Sequence, residues 1–296
     1  MIEIVFVGNL ASCGMDAFSR HLKTPHRLRT YPCDLAETEA LVGSPISRRM
    51  IEQAPKLRLV HAAGAGCDGI ALDALGGIPV CNVFHHERAI AEYVMMTILA
   101  LQRSLFQQDR DLRKGLWAGS CVQGPPLATE VIGKTLGIVG FGHIGQEVAR
   151  LAKAFEMEIR SLRSGHSRTE LESLLAASDF LVLACPLTKG TQGLMGEKQF
   201  QAMKKTGYFI NIGRGALVDA TALAAALAKK DLAGAGLDIT DPVPPADSDP
   251  LWKAPNLVVM PHAGGPMAEA MERRWRLYRE NVRRFVNGER LLCVVE

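Results

Sequence analysis

Short apolar runs alternate with amphipathic or turn-rich segments along the whole of this 296-residue chain. Runs of this length are typical of strands that are buried on both faces of a parallel sheet. They fall at residues 2–7, 57–62, 78–81, 135–139, 157–162, 180–184, 208–212, 234–237 and 257–260. Helices between successive parallel strands would cover both faces of such sheets. The pattern therefore predicts an α/β protein built from doubly wound parallel sheets.

The longer segments between the runs indicate how the chain is divided into domains. Residues 87–113 carry apolar side chains at helical spacing, which predicts one long helix that connects two domains. Residues 114–130 are rich in glycine and proline and are predicted to form a loop. A last helix over residues 266–287 would return the chain to the domain in which it began. The predicted division is a domain of residues 91–265 inserted into a domain formed by residues 1–90 and 266–296.

The composition excludes several classes of function. A formal net charge of +3 is too small to indicate a nucleic-acid partner. The longest apolar run, residues 89–101, contains Glu92 and is too short to span a bilayer, so no membrane association is expected. The chain opens on a strand pattern without a basic and then apolar leader, and its seven scattered cysteines suit a reducing compartment. We expect a soluble cytoplasmic protein without a metal site.

The most specific signal lies in the middle of the chain. Residues 135–139 lead into Gly140-Phe-Gly142-His-Ile-Gly145, and a helical pattern follows. A strand, a tight glycine turn and a helix N-terminus together bind the pyrophosphate of a dinucleotide. Gly140 permits the turn, Gly142 lets the backbone approach the phosphates, and Gly145 lets the helix pack on the strand. The central position of this motif agrees with an inserted cofactor domain.

The residues that would contact the adenine ribose favour NADP, with NAD as the alternative. An NAD site has an acidic residue about 20 positions beyond the glycine turn. Here the strand after the turn ends at Arg163 and Ser164, and His166 and Arg168 add positive charge nearby. An arginine can pair with a 2′-phosphate through two hydrogen bonds. A solvated basic loop is the structural alternative.

Three more segments follow predicted strands, where a doubly wound sheet binds its ligands. They contain Arg214, Asp238 and His262. An arginine can bind a substrate carboxylate with both arms of its guanidinium group, and a histidine can exchange the proton when an alcohol and a ketone interconvert. An earlier segment, residues 63–68, consists of small residues that could expose backbone N–H groups to an anion.

These motifs, in this order, resemble those of the D-isomer-specific 2-hydroxyacid dehydrogenase family along nearly the whole chain. The matching segments are GAGCD at 64–68, AE at 91–92, RKGLW at 113–117, GKTLGIVGFGHIG at 133–145, PLTKGT at 186–191, NIGRGALVD at 211–219, LDITDP at 237–242, PLW at 250–252 and PHAGG at 261–265. The Arg163-Ser164 pair and the DITDP segment are similar to the glyoxylate and hydroxypyruvate reductase branch. The resemblance implies a Rossmann cofactor domain inserted into a flavodoxin-like substrate domain, and a homodimer.

The resemblance also implies a mechanism. Arg214 would bind the carboxylate and the 2-oxo oxygen of a small 2-oxo acid, the amides of Ala65 and Gly66 would hold the carboxylate, and His262 would donate the proton. Asp238 would face the nicotinamide carboxamide. The residues implied to contact the cofactor are Gly140, Gly142, His143, Ile144, Arg163, Ser164, Pro186, Thr188, Thr191, Ile212, Gly213, Asp238, His262 and Gly264.

One position departs from the family pattern. The family has a glutamate five residues beyond the LD aspartate, and this carboxylate raises the pKa of the catalytic histidine; here the position is Val243. Three consequences are open. Asp241 substitutes for the missing carboxylate, or His262 titrates at lower pH, or the reaction needs no proton, as in the formate dehydrogenases of the family.

Three functions are therefore compared. The first is an NAD(P)-dependent reductase of small 2-oxo acids such as glyoxylate and hydroxypyruvate. The second is another hydride-transfer enzyme on the same scaffold, with a small anion such as formate or phosphite as substrate. The third is a nucleotide-sensing protein with little catalysis, a function that the missing glutamate favours. The retention of Arg214 and His262 favours an enzyme.

Overall fold

The described residues divide into two compact units that follow the chain in an inserted order. The structure is a computed structural model that describes residues 1–8, 10, 15–117 and 128–295. The first unit consists of Met1–His86 together with Met267–Glu296, and the second consists of Glu87–Pro266. Each unit has its own parallel sheet and its own apolar core.

The described part of the first unit contains five short parallel strands. They are β1 (Ile2–Val7), β2 (His26–Thr30), β3 (Ala40–Gly43), β4 (Leu59–Ala62) and β5 (Val80–Cys81), in the sheet order β2-β1-β3-β4-β5. This is the flavodoxin-like order, in which the chain reverses direction across the sheet between β1 and β3. Helices α1 (Met15–His21), α2 (Arg48–Glu52) and α9 (Ala268–Val286) belong to the same unit.

The aromatic face of helix α9 packs against the first sheet, and this packing brings the C-terminal part of the chain back to the unit in which the chain begins. Trp275 and Tyr278 are buried and pack edge-to-face at a ring separation of 5.4 Å. Trp275 also contacts Phe6 of β1 and Phe18 of α1, at 5.9 and 6.0 Å between ring centroids. Such edge-to-face pairs stabilise the fold in addition to the stabilisation that comes from burying the apolar surface of the rings. The cluster joins both ends of the chain in one core.

Six parallel strands lie in the second unit where the structure describes it. They are β6 (Thr135–Val139), β7 (Glu158–Leu162), β8 (Phe180–Leu183), β9 (Tyr208–Asn211), β10 (Gly234–Leu237) and β11 (Leu257–Val259), in the order β11-β10-β9-β8-β6-β7. The helices are α3 (Glu87–Gln102), α4 (Leu105–Leu112), α5 (His143–Ala154), α6 (Arg168–Ala177), α7 (Glu197–Ala202) and α8 (Ala220–Ala228). The order reverses between β6 and β8, where an open α/β sheet binds its ligand. The predicted fold class, two doubly wound parallel-sheet units, is confirmed.

The helix predicted over residues 87–113 is in fact two helices. Helix α3 ends at Gln102, Ser104 has a left-handed backbone with φ of 47°, and α4 then runs in a direction bent by 53°. The apolar periodicity ends where α3 ends, because α3 is largely buried whereas α4 buries none of its side chains. The polar residues of α4 favour a helix, but they do not indicate that its axis turns away from the axis of α3. Of the loop predicted at 114–130, residues 118–127 lie outside the described part of the chain.

Within the described ranges, no single helix is both long and apolar enough to cross a membrane. The two bent helices α3 and α4 meet the length and composition criteria when they are taken together.

Candidate active site

The glycine turn after β6 has the geometry that a bound pyrophosphate requires. Gly140 has φ of 102°, and a Cβ atom there would lie 2.4 Å from the backbone nitrogen of Cys185. A Cβ atom at Gly145 would lie 2.3 Å from the carbonyl oxygen of Gly140. Gly142 caps α5, and the space beside it is open to 4 Å. The turn is therefore closed on the protein side and open at the helix N-terminus, so a dinucleotide phosphate fits it.

Arg163 and Ser164 follow β7 on the next strand of the sheet. The guanidinium carbon of Arg163 lies 5.6 Å from the ring centroid of Phe141, which is within the range of a cation–π contact. The Arg163 carbonyl is 2.8 Å from Nδ1 of His166. Arg168 pairs with Glu172 at 2.9 Å, whereas in the described part of the chain no acidic side chain pairs with Arg163. The charge of Arg163 is thus held beside the glycine turn.

The segment after β8 is held together by one hydroxyl group. The Oγ1 atom of Thr191 donates to the Pro186 carbonyl at 2.8 Å and accepts the backbone N–H of Thr188 at 2.8 Å. This hydroxyl closes the turn between the two residues. The roles of Pro186, Thr188 and Thr191 toward a cofactor stay predictions.

Arg214 is positioned by a buried asparagine at the end of β9. The Asn211 side chain donates to the Arg214 carbonyl at 2.9 Å and accepts from the Gly213 amide at 3.0 Å. A Cβ atom at Gly215 would lie 2.1 Å from the carbonyl carbon of Thr240, so this loop packs directly on the loop after β10. Nη1 of half-buried Arg214 donates to the Gly213 carbonyl at 3.0 Å. Asn211 is the first residue of the NIGRGALVD motif, but only the folded loop shows that its side chain positions Arg214.

Asp238 and His262 follow β10 and β11, and one carboxylate organises the segment. The Asp238 backbone carbonyl accepts the His262 amide at 2.7 Å. Oδ1 of Asp238 accepts the amides of Ala263 and Gly264, both at 2.9 Å. His262 is exposed and has φ of 55°, a conformation uncommon for residues other than glycine. Asp238 thus caps the turn that presents the imidazole.

The same carboxylate is the one whose charge acts on His262. Burial raises the pKa of Asp238, and the two amide hydrogen bonds and the positive charge of His262 oppose that shift. Asp241, the predicted substitute carboxylate, lies on an exposed turn together with Val243, and among the described residues no hydrogen bond or ion pair joins it to His262. The structure therefore places Asp238 in electrostatic contact with the imidazole.

Tyr93 of α3 is a residue that the sequence reasoning did not single out. Its ring lies behind the Asp238 turn, since a Cβ atom at Gly264 would be 3.3 Å from Tyr93 Cδ1. Its hydroxyl is buried and has no hydrogen-bond partner in the described part of the chain. Burial raises the pKa of Tyr93, and the Asp238 carboxylate adds to that shift. The sequence did contain a signal for this residue: Tyr93 directly follows the AE pair and lies among the apolar residues of α3, and a buried tyrosine hydroxyl usually has a polar partner.

The segment predicted to bind an anion in the first unit follows β4, and the carbonyls of its first three residues all accept hydrogen bonds. Tyr278 donates to the Ala63 carbonyl at 2.8 Å, Val83 N–H donates to Gly64 at 3.0 Å, and the Asn82 side chain donates to Ala65 at 3.0 Å. By contrast, within the described residues the amides of Ala65 and Gly66 donate no hydrogen bond. Two adjacent free amides make this segment suitable for a carboxylate.

The second unit by itself defines a class of protein. A parallel sheet with a glycine turn at its switch point, and with Arg214 and His262 after neighbouring strands, is typical of a dinucleotide-dependent oxidoreductase. The family model described as "D-isomer specific 2-hydroxyacid dehydrogenase, NAD binding domain" matches residues 95–264, more than half of the chain. The chain belongs to the D-isomer specific 2-hydroxyacid dehydrogenase family. The predicted resemblance is confirmed, and the protein is an NAD(P)-dependent 2-hydroxyacid dehydrogenase.

Individual relatives agree with this assignment. The chain is 37% identical over a 276-residue alignment to a glyoxylate reductase from Korarchaeum cryptofilum, which spans 88% of this chain and 82% of that protein. It is 31% identical to a glycerate dehydrogenase from Methylorubrum extorquens, over 93% of this chain and 94% of that protein. Among solved structures, a probable 2-hydroxyacid dehydrogenase from Rhizobium etli in complex with NADP, HEPES and L(+)-tartaric acid superposes with a TM-score of 0.83 at 25% identity, covering 100% of this chain and 98% of that chain.

Proposed function

We propose that this protein uses NADPH to reduce a small 2-oxo acid of the glyoxylate or hydroxypyruvate type to the D-2-hydroxy acid. One observation carries the proposal: Arg214, Asp238 and His262 follow the three neighbouring strands β9, β10 and β11, and buried hydrogen bonds position their segments. A guanidinium group and an imidazole so placed suit an anion whose carbonyl is reduced. The similarity to glyoxylate reductases supports the same substrate class.

Each compact unit receives one task in this proposal. Residues 91–265 form the cofactor domain, and residues 1–90 with 266–296 form the substrate domain; the compact units, which divide at Glu87 and Pro266, support this assignment. The nicotinamide dinucleotide, when bound, supplies the hydride that adds to C2 of the substrate. In the cofactor domain the glycine turn, Arg163 and Ser164 bind the phosphates. In the substrate domain the free amides of Ala65 and Gly66 bind the substrate carboxylate.

The remaining roles concern charge and the proton. Arg214 binds the carboxylate and polarises the 2-oxo oxygen, which becomes negative as the hydride arrives. His262 gives its proton to that oxygen, so that one hydride and one proton convert the ketone to the alcohol. Asp238 holds the His262 turn and contributes the nearby negative charge. Asp241 as a substitute carboxylate, and Ile212 and Gly213 as cofactor contacts, stay predictions.

A panel assay tests this function. We expect NADPH to be oxidised in the presence of glyoxylate or hydroxypyruvate, measured as the loss of absorbance of the reduced nicotinamide. Turnover of formate or phosphite with oxidised cofactor, and of no 2-oxo acid, would instead assign the second kind of hydride transfer. Tight NADPH binding by calorimetry without turnover of any of these compounds would leave a nucleotide sensor.

The preference for NADPH is expected to depend on Arg163. Replacement by alanine should raise the KM for NADPH by roughly 10- to 100-fold, because a hydrogen bond to a charged group contributes about 1.5–3 kcal/mol. The KM for NADH should change by less than about threefold, since NADH has no 2′-phosphate to lose. Arg168→Ala is the matched control, because Arg168 is already paired with Glu172. Equal losses with both cofactors would show that Arg163 only supports the loop.

We also propose that the protein is a cytoplasmic homodimer. The exposed surface of α4 and the segment after it has large apolar side chains, which suit an interface between two copies. They are Leu105, Phe106, Leu112, Leu116 and Trp117. The described cysteines form no disulfide with one another, which suits a reducing compartment. Sedimentation equilibrium measures the mass of the particle in solution and so tests the homodimer directly.

A further inference from the structure

Two side chains of α9 converge on one carbonyl of the segment that follows β4. The Tyr278 hydroxyl donates to the Ala63 oxygen at 2.8 Å, and Nη2 of Arg274 donates to the same oxygen. Both donors come from more than 200 residues away in the chain. Tyr278 is fully buried and packs edge-to-face on His61 of β4 at 4.6 Å, so its hydroxyl has a fixed position.

This pair of donors completes the set of bonds that orients the Ala63–Gly66 segment. The next two carbonyls are held by Val83 and Asn82, as described above. Each carbonyl shares a planar peptide unit with the amide of the next residue, so Val83 and Asn82 orient the Ala65 and Gly66 amides, and the bonds to Ala63 fix the peptide plane that precedes them. The orientation of the Ala65 and Gly66 amides is thus set by bonds to the carbonyls that precede them.

Arg274 differs in its charge environment from Arg279, Arg283 and Arg284, which lie further along α9. Arg279 pairs with Glu272, and Arg283 and Arg284 both pair with Glu280. Among the described residues, no carboxylate pairs with Arg274, whose Nη1 contacts the sulfur of Met271 at 3.2 Å and whose Nε is buried without a hydrogen-bond partner. Its positive charge is therefore not neutralised by an acidic neighbour, and it lies against the segment with the free amides.

We propose that Arg274 and Tyr278 are positioning residues that clamp the Ala63 carbonyl at the start of the segment whose Ala65 and Gly66 amides bind the substrate carboxylate, and that they set the affinity for 2-oxo acids through the position of this segment and the charge of Arg274. This inference rests on the proposed function, in which those amides bind the carboxylate. The clamp supplies orientation through two donors to one oxygen. Arg274 adds a positive charge that favours an anionic ligand over a neutral one.

The experiment compares four variants of the full-length protein. Arg274→Met removes the donor and the charge but keeps the length of the side chain, and Arg274→Lys keeps the charge. Tyr278→Phe removes only the hydroxyl. Arg276→Met is the matched control, because Arg276 is an exposed arginine of the same helix.

The expected result is a separation of KM from kcat. Arg274→Met should raise the KM for glyoxylate by about 10- to 100-fold and Tyr278→Phe by about 3- to 10-fold, because a charged donor contributes more than a neutral one. We expect kcat and the Kd of NADPH to stay within about threefold of the wild-type values, since both depend on the second unit. Arg274→Lys should recover most of the affinity, and Arg276→Met should match the wild type.

Oxalate binding and amide hydrogen exchange keep the test independent of turnover and of stability. We expect oxalate to protect the Ala65 and Gly66 amides from exchange in the wild type and to do so at 10-fold or higher concentration in Arg274→Met. An Arg274→Met protein that melts near the wild-type temperature and keeps the wild-type KM and oxalate affinity overturns the inference. A similar rise in KM in Arg276→Met does so as well.

The two proposals fail in different ways. A wild type that binds oxalate at these amides but turns over no 2-oxo acid contradicts the proposed function and leaves the clamp supported. A wild type that reduces glyoxylate with an unchanged KM in Arg274→Met contradicts the clamp alone. A wild type that neither binds oxalate nor reduces any 2-oxo acid contradicts both.

Discussion

Replacement of His262 by glutamine is expected to lower kcat for glyoxylate reduction by about 10²- to 10⁴-fold, the usual contribution of a general acid. Glutamine can still donate a hydrogen bond to the 2-oxo oxygen, but it cannot release a proton to it. The measurement is the steady-state rate of NADPH oxidation at saturating glyoxylate. The Kd of NADPH, measured by calorimetry, should change far less, because His262 is exposed and the glycine turn is untouched.

The control for this variant is His21→Gln, which removes an exposed histidine of the first unit. It should leave kcat unchanged. If His262→Gln retains a third or more of the wild-type kcat, the proton comes from another group, and the hypothesis of hydride transfer without coupled protonation gains support. A loss of NADPH binding equal to the loss of kcat would assign His262 to cofactor binding instead.

The identity of the carboxylate beside His262 can be read from the same assay as a function of pH. Reduction needs the protonated imidazole, so the rate falls as pH rises through the pKa of His262. A neighbouring negative charge stabilises the imidazolium. Asp238→Asn keeps an oxygen for the Ala263 and Gly264 amides but removes that charge, and it should therefore move the alkaline limb to lower pH, whereas Asp241→Asn should leave the limb in place. The opposite outcome would make Asp241 the substitute for the missing glutamate at Val243.

Acidification is expected to destabilise the first unit by about 3 kcal/mol because of one buried histidine. Burial lowers the pKa of His61 from 6.5 to about 4, and a shift of this size corresponds to about 3 kcal/mol. Since the unfolded chain takes up the proton more readily than the folded one, this contribution is fully present above pH 6.5. It is lost progressively as pH falls from 6.5 to about 4.

The hydrogen bonds around His61 explain why the folded unit keeps the ring neutral. Nε2 lies 3.0 Å from Nδ2 of Asn281, and Nδ1 lies 3.3 Å from the Ala62 carbonyl. The Asn281 amide cannot turn over, because it also donates to the Leu292 carbonyl and accepts the Leu292 N–H. A proton on Nε2 would face a donor, so protonation requires this buried contact to break.

Urea unfolding at several pH values, followed by the fluorescence of buried Trp275, measures this effect. In His61→Gln the amide oxygen can accept from Asn281, and the free energy of unfolding should fall less steeply between pH 6.5 and 4 than in the wild type. His21→Gln should keep the wild-type slope, because that side chain is exposed. Parallel slopes for wild type and His61→Gln would show that His61 does not carry the acid sensitivity.

The strands and the glycine turn of the second unit were predictable because their signals are local. Most of the strands are short apolar runs, although β7 is polar. The turn needs glycine at Gly140 and Gly145, where a Cβ atom would collide with the backbone of the turn itself or with the segment that follows the adjacent strand. The order of the motifs likewise indicated the family. Each of these signals lies within a short segment and does not depend on how the rest of the chain folds.

The elements that were missed depend on their surroundings. Strand β2 is the polar, half-exposed edge of its sheet, and β3 has four residues, so neither forms a run that stands out from its flanks. Trp252 is a large aromatic residue of the kind usually found in a core, but it is 52% exposed and donates to the Ala246 carbonyl from its indole nitrogen. In each case the apolar or polar character of the residue did not determine its environment.

The sequence by itself determined that this protein has two doubly wound parallel sheets, a dinucleotide turn, and the arginine and histidine of a 2-hydroxyacid dehydrogenase. The tertiary structure alone decided which groups meet around them: Asp238 beside His262, and Arg274 and Tyr278 on the Ala63 carbonyl. The physical reason is distance along the chain. Periodicity and turn chemistry act over a few residues, whereas the hydrogen bonds from Arg274 and Tyr278 to a backbone carbonyl more than 200 residues earlier form only when both ends of the chain have packed into the first unit.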